Sequence, residues 1–380
     1  MCGYRKVKVK SYSSHIGPDN TAAPDCSTCL PWFGKRHPHK RLRFRSALDE
    51  QGGDVPFCGS KNAAYFSEMQ DTNPVQINSM AGTLCLAMTR LFTKGPLRRF
   101  NVIERALGNR FESNDNYDAD RVSNVSDYRK LFEPFVGFAG KTVLELGCGR
   151  GYLLDAFLQQ EKFTAIGADI SLEALAKARA KYGHHIRFVQ TTATTVPLPD
   201  NSVDVIYTVD TVEHLSRPYE IFADAFRILR PGGLFLVHFG PWYNPAGAHL
   251  EDIIPFPWPH AIFSMDTLLN VAAHIYESKE HKHACYWYDD SGKLKPNPYL
   301  DRERWREYLN DLTIRKFRHL QRRLPYETVH FRRLGFGGKA FPAARLLSGL
   351  AHVPVLNEFF IKAVLCVLRK PAVQAHRQAA

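Results

Sequence analysis

From about residue 140 to residue 240, short apolar runs alternate with amphipathic stretches. Val143-Leu-Glu-Leu146 and Ala165-Ile-Gly-Ala-Asp-Ile170 are too short to be buried helices, so they predict buried strands. Ser171 as N-cap, followed by apolar Leu172, Leu175 and Ala176 at helical spacing, predicts a helix through Tyr182. The series continues with a strand at Ile186–Gln190, a turn at Pro197–Ser202, a strand at Val203–Val209, a helix at Pro218–Leu229, the turn residues Pro231-Gly-Gly233 and a strand at Leu234–Phe239. Strands that alternate with helices imply an α/β fold with a doubly wound, mostly parallel sheet. Upstream, Ala81–Leu107 predicts one or two helices with Leu84, Met88, Leu91 and Phe92 on a shared face, and Glu112–Asp120 reads as a polar linker.

The first strand runs into Gly147, Gly149 and Gly151 and then into an apolar helix. Alternating glycines remove β-carbons that block a ligand and permit positive φ at the strand-to-helix turn. The spacing is not that of a dinucleotide fingerprint, and no Gly-Lys-Ser/Thr follows to hold phosphates. Asp169 ends the second strand 22 residues after Gly147, near the roughly 20-residue offset at which a carboxylate accepts from ribose hydroxyls.

In four motifs in register the chain resembles the class I S-adenosylmethionine-dependent methyltransferases, of the methyltransferase-11-like kind, from about Tyr128 to Lys370. These are Glu145-Leu-Gly-Cys-Gly-Arg-Gly151, Gly167-Ala-Asp-Ile170, the run Val196–Asp204 leading to Asp210-Thr-Val-Glu-His-Leu215, and Arg230-Pro-Gly-Gly233. The resemblance implies a Rossmann-like, seven-stranded sheet, a late helix at Leu309–Phe317, and a closing strand pair at Tyr326–Leu334 and Phe359–Arg369, the last strand antiparallel. It also implies S-adenosyl-L-methionine as cofactor. Glu145 and the turn residues Gly147, Cys148, Gly149, Gly151 and Tyr152 would hold the methionine end, Asp169 the ribose, Ile170 an adenine face, and Thr192 and Ala193 the adenine edge. Relatives often carry an aspartate where Thr192 stands. Asp210 would line the pocket beside the methionine carboxylate or ammonium, and His214 would face the substrate.

A sulfonium activates its own methyl group, so such a protein mainly aligns and desolvates a nucleophile. An oxygen nucleophile also needs a base, and His214, His249 and His260 are the candidates. His249 and His260 lie in an insert at 241–300, rich in proline and aromatic residues, that follows the fifth strand on the side where acceptors are expected. Trp242, Tyr243, Trp258 and Phe263 there read either as a lid over the acceptor or as packing over one end of the sheet. His249, Glu251, Asp252 and His260 are mixed ligands without a recognisable metal spacing, so no metal is expected.

Composition narrows the picture. Met1–Arg45 carries ten Lys or Arg against Asp19 and Asp25 and has no period, so residues 1–115 read as a basic, poorly ordered extension before a domain at 121–371. Cys26-x-x-Cys29, with Cys58, His37 or His39, makes an incomplete zinc pattern. Cys85, Cys148 and Cys366 sit in apolar surroundings, as buried thiols of a cytoplasmic protein do. No apolar run reaches the ~18 residues of a membrane span.

The net charge is +12, and Arg315, Lys316, Arg318, Arg322 and Arg323 crowd one region. No nucleic-acid recognition motif accompanies them, and the Asn-Pro-Pro-Tyr and Asp-Pro-Pro-Tyr signatures of amino-group methylation are absent. A solvated helix face or a surface near anionic lipid fits them better. The favoured function is therefore methyl transfer to a small molecule, at oxygen. RNA or protein methylation and non-catalytic cofactor binding are the alternatives.

Overall fold

The computed structural model describes residues 75–101, 112–278, 282–289, 291–335, 350, 353 and 356–372. Residues 1–74 lie outside them, and with them Cys26, Cys29, Cys58, His37 and His39.

Seven strands form one sheet in the order β3-β2-β1-β4-β5-β7-β6. They are β1 (Thr142–Leu146), β2 (Thr164–Asp169), β3 (Arg187–Gln190), β4 (Val203–Val209), β5 (Leu229–Phe239), β6 (Glu327–Gly335) and β7 (Ile361–Arg369). β1 to β5 pair in parallel, and β7 runs antiparallel to both β5 and β6. The order reverses at β1, where β2 leaves on one side and β4 on the other. A crevice opens at such a switch point, outside the carboxyl ends of the strands.

The strands alternate faces because both faces are covered. Leu144 and Leu146 of β1, Phe235, Val237 and Phe239 of β5, and Val364, Cys366 and Leu368 of β7 point into one core. There they meet α6 (Pro218–Ile228) and α10 (Ile314–Arg322) through Phe222 and Phe317. Val143, Leu234, Leu236, Leu365 and Val367 point the other way. They pack against α3 (Val125–Phe132), α4 (Tyr152–Leu158) and α5 (Leu172–Tyr182) through Phe132, Leu154, Phe157 and Leu175. A strand apolar on both faces is the sequence form of a doubly covered parallel sheet.

Four elements depart from expectation. Pro231-Gly-Gly233, expected as a turn, lies within β5, which starts at Leu229 rather than Leu234. The late helix begins at Ile314, not Leu309, because the Thr313 hydroxyl accepts from the Lys316 amide and caps it there, while Asp311 takes a left-handed φ of 51°. The supposed linker at 112–120 contains the start of α2 (Asn114–Ser123), capped by the Ser113 hydroxyl on the Asn116 amide. Upstream, α1 (Met80–Thr93) buries Gly82, Cys85 and Thr89, whereas Leu84 is 55% exposed and Leu91 42%. Gly82 lacks the β-carbon that would meet Ile77 and so lets this face sit close to its neighbours.

α1 packs on α8 (Met265–Tyr276) of the insert, which also holds α7 (Pro259–Ile262) and leads to α9 (Arg302–Tyr308). Cys85 joins Leu250, Ile254, Phe256, Phe263, Leu268 and Trp305 in a third core. Of the four insert aromatics, Phe263 is thus packing, and the Trp258 indole donates to the Phe359 carbonyl at 3.1 Å. Deleting residues 1–101 is expected to bare this core and cost about 3 kcal/mol, which lowers the melting temperature by roughly 6–12 °C. An unchanged melting curve would count against a structural role for α1.

Among the described residues, no helix is long and apolar enough to cross a membrane. Cys85, Cys148 and Cys366 are buried thiols, as expected.

Candidate active site

The turn after β1 is built by three glycines with positive φ, and they do different work. A β-carbon at Gly147 would lie 2.3 Å from the Thr211 side chain, and one at Gly151 would strike the Phe188 ring at 2.8 Å. Those two glycines let the protein pack on itself. Of the three, only Gly149 faces open space, with nothing within 4 Å of the β-carbon it lacks. Cys148 is buried, and burial pushes its thiol well up, which leaves it inert.

Asp169 sits at the carboxyl end of β2. Its Oδ2 accepts from the Gly149 amide at 2.7 Å and its Oδ1 from the Ser171 amide at 2.9 Å. The side chain therefore ties the glycine turn to the start of α5. Each carboxylate oxygen offers about two lone-pair sites, so both keep one for a further donor.

Glu145 is buried near the end of β1, and its Oε2 makes no well-formed hydrogen bond although the Tyr207 hydroxyl lies beside the carboxyl. Burial pushes its carboxyl up to about 8, with the Tyr207 hydroxyl and the charge of Arg121 opposing that shift. An orphaned carboxylate oxygen beside an open turn suits a cation from outside the chain. Beyond β4, Asp210 adopts φ 50° and is paired with Arg121 of α2 at 2.9 Å and with His238 Nδ1 at 3.1 Å. Against the cost of burial, His238 and Arg121 hold its carboxyl far below the usual range.

Ile170 and Ala193 are half-buried near the end of β2 and after β3. Thr192 is exposed, and its hydroxyl accepts from the Thr194 and Thr195 amides at 3.2 and 3.0 Å, so its own loop uses it. Tyr152 opens α4 and lines a depression with Arg150, Lys177, Lys181 and Tyr182.

The three histidines do not converge as a set. His214 lies in a 3₁₀ turn after β4, and its ring is 4.9 Å from that of His249, which comes from the insert. Glu213 joins them, with ligating atoms of all three within 4.8 Å of one another. Burial, with His249 adding to it, pushes the His214 imidazole down to about 4, and burial pushes the Glu213 carboxyl up to about 8. His260 lies outside this cluster. It packs on Trp242 at 4.6 Å, its nitrogens are buried without a well-formed hydrogen bond, and burial pushes it down to about 4.

Of the mixed ligands considered from sequence, Asp252 is also absent from the cluster, since it accepts from the Trp287 indole at 3.0 Å and the Tyr299 hydroxyl at 3.2 Å. Sequence reasoning missed Arg121, whose partner is 89 positions away, and Glu213. The adjacent Glu-His pair at 213–214 was a signal for the second; the first had none.

Residues 144–237 match the family model described as a methyltransferase domain. Over those residues the chain carries a methyltransferase domain. An uncharacterized methyltransferase of Mycobacterium ulcerans is 34% identical over 132 residues, which cover 34% of this chain and 51% of the relative. A probable S-adenosylmethionine-dependent methyltransferase of Mycolicibacterium smegmatis is 39% identical over 99 residues, 26% of this chain and 38% of the relative. The methyltransferase-bearing chain thus spans about half, or less, of the length of these curated relatives. Among solved structures, an S-adenosylmethionine-dependent methyltransferase from Mesorhizobium loti is similar at 15% identity, 65% coverage of this chain, 99% of that one, and a TM-score of 0.40.

Proposed function

We propose that the chain transfers the methyl group of S-adenosylmethionine to an oxygen of a small-molecule acceptor that enters between the β1/β4 edge and the 241–300 insert. The cradle fits the nucleoside: Gly149 leaves room, Asp169 has lone pairs for the ribose hydroxyls, and the unmatched Glu145 oxygen meets the methionine ammonium. Ile170 covers one adenine face, the amide of Ala193 serves its edge, and Arg121 with Asp210 borders the methionine end. The bound sulfonium supplies an activated methyl group, so the chain's own residues need only orient an acceptor, exclude water and take its proton.

The observation that carries the choice of oxygen is the cluster of Glu213, His214 and His249. It gathers nitrogen and oxygen lone pairs from two separate segments, beyond the end of β4, on the acceptor side. Deprotonation of an acceptor hydroxyl is the task such a cluster suits. For the basic helix α10, two of its cations are engaged by rings, Arg318 over Phe331 at 4.4 Å and Arg323, its C-cap residue, over Tyr219 at 4.5 Å. That favours a structural role over phosphate binding. Incubation with methyl-labelled cofactor and a cell extract is expected to place the label in a low-mass product. Label recovered only in RNA or protein would overturn the small-molecule reading.

Cofactor binding should also release a proton. Free Glu145, with its carboxyl at about 8, is mostly protonated at pH 7, and an ammonium beside it favours the ionised form. Affinity is therefore expected to rise with pH, by up to about tenfold per unit, and to level off above pH 8. Calorimetry in two buffers of different ionisation enthalpy reads the release directly, and Glu145→Gln should abolish it. An equal proton count in wild type and variant would remove Glu145 from the site.

A further inference from the structure

We infer that Glu213, His214 and His249 form a binding site for a first-row divalent transition-metal cation. Their ligating atoms lie within 4.8 Å of one another, close enough to share one ion. Two imidazole nitrogens and one carboxylate oxygen are the donor set that suits such ions, and three protein ligands leave coordination positions open.

Three independent features prepare these side chains for it. The Glu213 side chain is buried, with one oxygen accepting from the Gly240 amide at 3.4 Å and the other, Oε2, without a partner. An unmatched carboxylate oxygen in the interior is costly unless something cationic completes it. His214 Nδ1 is 2.9 Å from the Tyr308 carbonyl. A carbonyl only accepts, so Nδ1 carries the proton and Nε2 keeps its lone pair, the arrangement by which ligating histidines are usually oriented. His249 holds a left-handed φ of 51°, fixed by its amide on the Ala246 carbonyl at 2.9 Å. A non-glycine residue kept in that region marks a position the surrounding structure over-determines.

The ligands come from the turn after β4 and from the insert, so the ion would join the sheet to the insert at the acceptor side. Its open positions would take an acceptor oxygen and polarise it as a Lewis acid, easing loss of its proton. That last role rests on the methyl-transfer reading; the ion site itself does not.

The test uses the full chain, stripped of metal by dialysis against a chelator and titrated with Co2+. Visible absorption with nitrogen and oxygen ligation is expected for the wild type. His249→Gly, which suits the left-handed φ, and Glu213→Gln are each expected to weaken Co2+ binding at least tenfold. Melting curves report whether each variant folds, and S-adenosylhomocysteine affinity, expected unchanged, separates failure at the ion site from failure at the cofactor site. Absence of a Co2+ spectrum in the wild type overturns the inference. So does wild-type Co2+ affinity in either folded variant, or a sulfur-ligated spectrum common to all three proteins.

Discussion

Asp169→Ala is expected to weaken binding of S-adenosylhomocysteine by about 2–4 kcal/mol, roughly thirty- to several-hundred-fold. The loss has two parts. The ribose hydroxyls lose a charged acceptor, and the Gly149 and Ser171 amides lose the carboxylate that ties the glycine turn to α5. The second part makes Asp169→Asn informative. Both carboxylate oxygens accept from N–H groups, so the amide of asparagine must direct its own NH2 at one of those donors. Asparagine should therefore be nearly as damaging as alanine, although it is close in size and shape. Calorimetric titration of both variants checks this, and wild-type affinity in the Asp169→Asn protein would show that the turn needs no carboxylate.

The second large effect is expected at the acceptor. His249→Gly removes an imidazole 4.9 Å from that of His214 while leaving the backbone conformation that the residue already adopts. Turnover should fall by about 10²- to 10⁴-fold, the usual range for loss of proton-transfer or acceptor-polarising machinery. Cofactor affinity should stay within about twofold, a margin well under the 1.4 kcal/mol of a tenfold change, because β1, β2 and their glycine turn are untouched. Steady-state rates with an identified acceptor, measured beside calorimetry, separate the two quantities. A rate close to wild type would make His249 part of the wall only. His260→Ala is the contrasting case: it should act through packing against Trp242, lowering stability more than rate.

Much of the sheet was legible because its strands are buried on both faces. Mainly apolar runs such as Val203–Val209 read as buried strands in an alternating series, and the parallel pairing of β1 to β5 agrees with that. The glycine turn was legible as a turn, but the reason for each glycine was not. Thr211 and Phe188, which dictate two of them, lie 64 and 37 positions away from Gly147 and Gly151, and no local pattern reports such contacts.

The face of α1 was half legible. Met88 and Phe92 do pack against the third core, but Leu84 and Leu91 are exposed, and Gly82, Cys85 and Thr89 are buried in their place. Arg121 was hidden in a polar segment whose helix is set by a serine cap, and its partner Asp210 is supplied by another part of the fold. Histidines raised from sequence as equivalent candidates were divided by backbone geometry: His214 and His249 meet at Glu213, while His260 turns into an aromatic pocket.

All of these expectations require a nucleoside lying across the carboxyl ends of β1 and β2. A crystal structure of the protein with S-adenosylhomocysteine tests this most directly. Ribose hydroxyls are expected on Asp169, the amino group beside Glu145, and the homocysteine chain passing Gly149. A nucleoside bound elsewhere, or an edge that stays closed by Asp169, Arg121 and Asp210 at saturating ligand, would contradict that placement.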